Sequence, residues 1–270
     1  MSATPTAVVA KTPVIDPRAH QFGPLPPELW PKVDQIITED DTPVDNFYSE
    51  KQQKLLTRSL HATLDPFGHK RPFIAVANVG LYSAPDEDPQ VPDVMVSLDV
   101  TLAEDIWQKG NRAYLIWLFH KPPEVAIEIV SNKIGGEDST KKDKYAQMRV
   151  AYYVIHDPAQ RLSKQVLRVY ELRGTRYVLR KDAWLPDLGI GLLLQQGTFE
   201  KRTDTWLRWY DRNGDLLLTG EERAEQEHQR AQQAEERVEQ ERQRAQQAEE
   251  RNAQLIAHLQ KLGIDPNQIK

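Results

Sequence analysis

Hydrophobic positions fall in short consecutive runs through the middle of the chain. Phe73–Val79, Asp93–Leu98, Tyr114–Phe119, Val125–Val130 and Tyr152–Ile155 are rich in β-branched and apolar residues, the composition of buried strands. Val166–Leu172 and Arg176–Leu179 flank Arg173-Gly174-Thr175, a hairpin signal. Trp184, Trp206, Trp209 and Tyr210 predict a later β-rich region that closes at the turn dipeptide Asn213-Gly214. Helical patterns interrupt the strands twice. Leu56, Leu60 and Leu64 recur at i+4, between a capping box at Ser49 and Gln52 and a stop at Asp65-Pro66. Asp138–Met148 reads as the second helix, with acids and a hydroxyl residue in its first turn. Mixed strands with two helices on one side predict an α/β or α+β domain over residues 44–218.

The two ends follow other patterns. Residues 1–43 are rich in Pro, Thr, Ala and acids and lack periodicity, so they read as an irregular extension in which Leu29 and Trp30 dock on the core. After Thr219 the segment Arg-Ala-Gln-Gln-Ala-Glu-Glu-Arg occurs at 230–237 and again at 244–251, two heptads apart. With Ala231 as position a, the a series is Ala231, Val238, Ala245, Asn252 and Leu259. The d series is then Ala234, Glu241, Ala248, Leu255 and Leu262. This is a coiled-coil pattern over 219–262, and Asn252 at an a position favours a parallel homodimer in register. A single charged helix laced by Glu–Arg pairs is the alternative. Gly263 and Pro266 end the helix and leave 263–270 as a C-terminal end.

Composition narrows the chemistry. The hydrophobic share of 39% over 270 residues is low, in keeping with a tail that joins no core. With no cysteine, disulfides, zinc–thiolate sites and cysteine nucleophiles are excluded. Without a signal-like apolar run in the first 30 residues, or a stretch near the ~18 apolar residues of a membrane span, a cytoplasmic protein with no membrane partner is expected. The net charge of −5 is uneven: residues 221–251 hold ten Glu and six Arg, a balance of −4. Residues 161–181 instead carry Arg161, Lys164, Arg168, Arg173, Arg176, Arg180 and Lys181 against Glu171, a balance of +6. Such a segment could meet phosphates or could be the solvated face of a hairpin.

Two acids stand inside the apolar runs, Asp93 after Pro92 and Glu128 between Ile127 and Ile129. A carboxylate on a buried strand is costly unless it is paired, hydrogen-bonded or bound to a metal. Magnesium takes oxygen ligands and keeps several waters, so two carboxylates from neighbouring strands would hold it against a phosphodiester. A lysine nearby would position or help deprotonate the attacking water and offset developing negative charge. Asp138, Lys141 and Tyr145 stand at i, i+3 and i+7 on one helix face, which makes Lys141 the first choice and Lys142 the second. Glu50, in the first turn of the first helix, reads as a dipole partner ahead of a third site acid.

These residues, in order, resemble a known family. Pro92-Asp93-Val94, Glu128-Ile129-Val130-Ser131, Asp138 with Lys141 and Tyr145, and Tyr152-Tyr153-Val154-Ile155-His156-Asp157-Pro158 are similar to motifs of the bacterial Uma-two family, restriction endonucleases of the PD-(D/E)xK nuclease superfamily. The resemblance covers roughly residues 44–215. It implies a restriction-endonuclease-like mixed sheet with flanking helices and a site dependent on Mg²⁺, with Mn²⁺ as a substitute. By that resemblance Asp93 and Glu128 are metal ligands, with the backbone carbonyl of Ile129 as a third. The chain departs from the superfamily where Val130 replaces the expected lysine; the resembling family takes its lysine from the next helix, which matches Lys141. The superfamily's first-helix acid falls near Glu50.

Two functions follow. One is a Mg²⁺-dependent endonuclease in which Asp93 and Glu128 bind metal, Lys141 assists the water, and Arg168, Arg173 and Arg176 meet the phosphate backbone of DNA, with RNA left open. Asp138, Lys142, Tyr145 and Glu50 are its accessory candidates. The other is a nuclease-like interaction protein that no longer cuts and is oligomerised through its coiled coil.

Overall fold

The computed structural model describes residues 46–131 and 136–261. The expected extension before residue 44, with Leu29 and Trp30, and the end after Gly263 lie outside the described residues, as does Leu262 of the heptad series. The chain divides into two compact units, residues 1–217 and 218–270.

The first unit opens with helix α1 (Phe47–Ala62). Its N-cap is Asn46, whose side chain accepts from the backbone N–H groups of Tyr48 and Ser49. That satisfies donors which the first helical turn leaves without partners. The expected capping box at Ser49 and Gln52 therefore lies inside the helix, where both residues are buried. Leu56 and Leu60 are fully buried, whereas Leu64 lies beyond the helix end and is 96% exposed.

The strands that follow are β1 (Phe73–Val76), β2 (Leu81–Tyr82), β3 (Val94–Leu98), β4 (Tyr114–Leu115) and β5 (Val125–Ile129). A short helix, α2 (Ile116–Phe119), follows β4, so the apolar run Tyr114–Phe119 is a two-residue strand turning into a helical turn rather than one strand. Consecutive apolar residues carry no period that separates the two. Helix α3 (Thr140–Gln147) leads into β6 (Tyr152–His156), and the hairpin of β7 (Leu167–Arg173) and β8 (Arg176–Leu179) follows. Gly174 makes that turn with φ +64, a conformation open to glycine at little cost. The unit closes with β9 (Trp184–Leu185), β10 (Ile190–Phe199) and β11 (Arg202–Tyr210).

Strands β1, β3, β5, β6, β7 and β8 form one six-stranded sheet in that order. β5 and β6 run parallel, joined by the crossover that contains α3, while β1–β3, β3–β5, β6–β7 and β7–β8 are antiparallel. A parallel pair requires such a crossover, and it sets α3 directly after the end of β5. The central strands β3, β5 and β6 are buried along their whole length, which explains their unbroken apolar sequence.

Successive side chains point to opposite faces. Val94, Val96, Ile127 and Val154 pack with Leu56 and Leu60 of α1 and with Leu192, Leu207 and Trp209 of the β9–β10–β11 sheet. Met95, Ala126, Tyr153 and Ile155 pack with Tyr145 of α3 and with Met148 just after it. The two helices thus cover opposite faces of the sheet rather than sharing one. α1 is held to β11 by a two-way clamp: buried Gln52 donates to the Leu207 carbonyl at 2.8 Å and accepts from the Leu207 N–H at 2.9 Å.

The second unit contains α4 (Gly220–Lys261), 42 residues long. Thr219 and Glu222 form a reciprocal capping box at its start, the Thr219 N–H donating to the Glu222 carboxylate and the Glu222 N–H to Thr219 Oγ1. Val238 and Leu255 are 66% and 55% exposed within this unit. Among the described residues no helix is long and apolar enough to cross a membrane. The protein is a mixed α/β, restriction-endonuclease-like domain with a long C-terminal helix.

Candidate active site

The entry to β3 and the end of β5 bring Asp93 and Glu128 into one neighbourhood. Both carboxylates are buried, at 6% and 2% exposure. Asp93 Oδ2 accepts from the backbone N–H of Ile129 at 2.6 Å, which ties it to the residue after Glu128. Its Oδ1 accepts from Gln53 Nε2 of α1 at 2.7 Å. Gln53 is itself braced by Asn78, whose Nδ2 donates to Gln53 Oε1 at 3.0 Å.

Glu128 lies on the α3 face of the sheet. Tyr145 donates its hydroxyl to Oε1 at 2.7 Å, and Lys141 donates its ammonium to Oε2 at 2.8 Å. Burial, with the nearby negative charge of Asp93, pushes the Glu128 carboxyl up to about 7 against the pull of Lys141 and Tyr145. Burial also works against the Lys141 ammonium, but Glu128, Glu137 and Asp93 outweigh it and hold Lys141 above the ordinary lysine range. In this arrangement Lys141 is a hydrogen-bond donor and a fixed positive charge, not a base ready to accept a proton.

The family model Uma2, described as "Putative restriction endonuclease", matches residues 34–193, more than half of the chain and all of the segment that holds these side chains. The chain belongs to the Uma2 family. No curated protein and no solved structure matches it.

In this Uma2 chain Val130 follows Glu128 by two positions and is a buried core residue on the α3 face. The cation beside Glu128 comes instead from Lys141 of α3. Restriction-endonuclease-like nucleases use divalent metals, and the hard oxygen donors of Asp93 and Glu128 match that requirement. Among the described residues no group of three or more His, Cys, Asp or Glu side chains is arranged to hold a metal ion. The backbone of Ile129 meets the site through the N–H that Asp93 accepts.

The other expected residues are distributed less uniformly. Asp138 precedes α3 and shares no helix face with Lys141; it pairs with Arg168 and, at 3.6 Å, with Lys142. Lys142 also sits 4.0 Å over the Tyr170 ring, turned to a different neighbour from Lys141. Arg168, expected on the phosphate-facing surface, is 5% exposed, with its guanidinium engaged by Asp138. A strand residue facing α3 cannot also face solvent, which is why the charge count alone misplaces it. Arg173 and Arg176 are exposed on either side of the hairpin turn, Arg173 within 3.3 Å of Glu171. Glu50 pairs with Lys54 in the first turn of α1, and the α1 side chain that reaches Asp93 is Gln53.

Two residues of the site are absent from the sequence-based expectation. Gln53 follows Gln52 in a helix whose other buried residues are leucines and serines, and two adjacent amides there are the signal that could have found it. Glu137, buried at 6%, reads as an ordinary helix-start acid beside Asp138.

Proposed function

We propose that this Uma2 chain is a divalent-metal-dependent endonuclease that hydrolyses DNA phosphodiester bonds, with Asp93 and Glu128 holding Mg²⁺ or Mn²⁺ and Lys141 assisting the attacking water. The observation that carries this reading is the pair of buried carboxylates on adjacent strands with Lys141 hydrogen-bonded to one of them. Burying two acids side by side is unfavourable by itself. A site for a cation gives that arrangement a purpose.

A bound magnesium ion would supply Lewis acidity toward a phosphoryl oxygen. The chain's own residues do the rest. Gln53 and the Ile129 N–H fix the Asp93 carboxylate, and Tyr145 fixes that of Glu128, so neither acid has to be ordered when substrate arrives. The Ile129 carbonyl is the proposed third oxygen. Lys141, kept as an ammonium, donates a hydrogen bond to the attacking water and offsets charge that develops on the phosphoryl oxygens. Arg173 and Arg176 meet backbone phosphate, while Arg168 and Asp138 brace the approach to α3 from beneath.

A second reading, an interaction protein that does not cut, draws on the apolar Val130 and on the 42-residue helix α4. Supercoiled and linear DNA incubated with Mg²⁺ or Mn²⁺ decides between them. Wild-type protein should nick or cut, and Asp93→Ala should abolish cleavage with an unchanged circular-dichroism spectrum. Folded wild-type protein that binds metal and DNA without cutting would favour the second reading.

A further inference from the structure

Glu137 is the one acid of this region whose burial the proposed chemistry does not use. It sits at 6% exposure in the turn before α3, and its Oε2 is buried without a hydrogen-bond partner among the described residues. Leaving a carboxylate oxygen unsatisfied in the interior costs about 1–3 kcal/mol or more. The turn is nevertheless built to keep it there. Gly136 has φ +73, and a Cβ at that position would press on the Thr140 hydroxyl. The Gly136 carbonyl accepts from Ser139 N–H at 3.0 Å and from Lys141 N–H at 3.1 Å. The buried Tyr153 hydroxyl donates to the Glu137 carbonyl at 2.7 Å.

What this turn presents Glu137 to is Lys141. The Lys141 Nζ lies 2.8 Å from Glu128 Oε2 and 3.7 Å from Glu137 Oε1. One ammonium therefore stands between two buried carboxylates, bonded to the first and within ion-pair range of the second. Closing the longer gap by about 1 Å would bring it to the length of a charge-assisted hydrogen bond. On the reading above, Glu128 has to serve a divalent cation, and an ammonium bonded to the same oxygen competes with that cation.

We propose that Glu137 is a positioning residue of this centre, the second acceptor to which the Lys141 ammonium passes when a divalent cation takes Glu128. Glu137 thereby keeps the lysine beside the site without letting it occupy a metal-ligand oxygen. This inference rests on the metal-centre reading, and its test separates the two.

The test uses full-length wild type, Glu137→Gln, Lys141→Met and the double variant, with Mn²⁺ calorimetry and chemical denaturation in chelator. Glu137→Gln should weaken Mn²⁺ binding about tenfold in the wild-type background, the size of a typical coupling between sites. In the Lys141→Met background, with no ammonium to relocate, its effect should fall below about twofold. In chelator the two substitutions should be coupled by about threefold in the unfolding equilibrium, as for a partly exposed ion pair. Glu137→Asp should recover part of the Mn²⁺ affinity. Equal loss of affinity in both backgrounds would make Glu137 a ligand or a purely structural residue and overturn the proposal, as would absence of coupling in chelator. Wild-type protein that binds no Mn²⁺ would overturn the metal-centre reading and the exchange with it.

Discussion

Replacing Glu128 by Gln should stabilise the metal-free protein at alkaline pH. The carboxyl titrates at about 4.5 in the unfolded chain and at about 7 in the native one, because burial outweighs the pull of Lys141 and Tyr145. Below about pH 4.5 it is neutral in both states and costs nothing. Above about pH 7 the native state holds a buried carboxylate that unfolding would return to water. Between those limits the native state binds more protons than the unfolded one, so this group makes stability fall as pH rises. At about 1.4 kcal/mol per tenfold in proton affinity, the full cost is about 3 kcal/mol.

Gln keeps the shape, accepts from Lys141 and can exchange hydrogen bonds with Tyr145, but it takes away the carboxylate bonded to the ammonium and leaves Glu137 and Asp93 as its charged neighbours. The rise to about 7 already contains that pairing, so the gain at high pH is the full cost, about 3 kcal/mol. Guanidinium denaturation in chelator from about pH 4 to 8.5 should show the variant and the wild type equally stable at the acid end, with the variant ahead at the alkaline end. If the ion pair to Lys141 outweighed burial, the variant would instead lose stability as pH rises. A variant less stable than wild type at alkaline pH, or a gap that does not change with pH, would refute the reasoning.

Other consequences follow from the same geometry. Gln52→Ala should cost about 2–4 kcal/mol in denaturation experiments, because it leaves the Leu207 N–H and carbonyl buried without their partner. Asp138→Asn should lower thermal stability while leaving Mn²⁺ affinity within about twofold, since it removes the charge that engages the buried Arg168 and not a proposed ligand. Removal of everything after residue 218 should leave a folded, cutting domain. Light scattering should then report a monomer where the full chain, if its heptads pair, reports a dimer.

The parts of this molecule that could be read in sequence are those set by local or single-face physics. β3, β5 and β6 announce themselves because strands covered on both faces must be apolar without interruption, and an acid such as Glu128 inside one of them is conspicuous for the same reason. Leu56 and Leu60 mark the buried face of α1, but the cap at Asn46 lies three residues before the expected one at Ser49, because Asn and Ser are both good N-caps and compete as helix starts. Tyr114–Phe119 was ambiguous in principle, being too short for periodicity to separate strand from helix. The placement of α1 and α3 on opposite faces depends on strand order, which the one-dimensional pattern does not contain. The same limit applies to Gln53, Glu137 and Arg168. Each takes its role from partners at a distance in sequence or from a turn that looks unremarkable in one dimension: Asp93 is 40 residues from Gln53, and Asp138 is 30 from Arg168.

The most direct test of the proposed centre is an anomalous difference map from crystals of the wild-type protein grown or soaked with Mn²⁺, collected at the manganese edge. A metal-dependent nuclease built as described should show a peak within coordination distance of both the Asp93 and Glu128 carboxylates, with Lys141 beside it and no longer bonded to Glu128. A well-ordered site with Lys141 still bonded to Glu128, no manganese peak at either acid, and full occupancy elsewhere would contradict it.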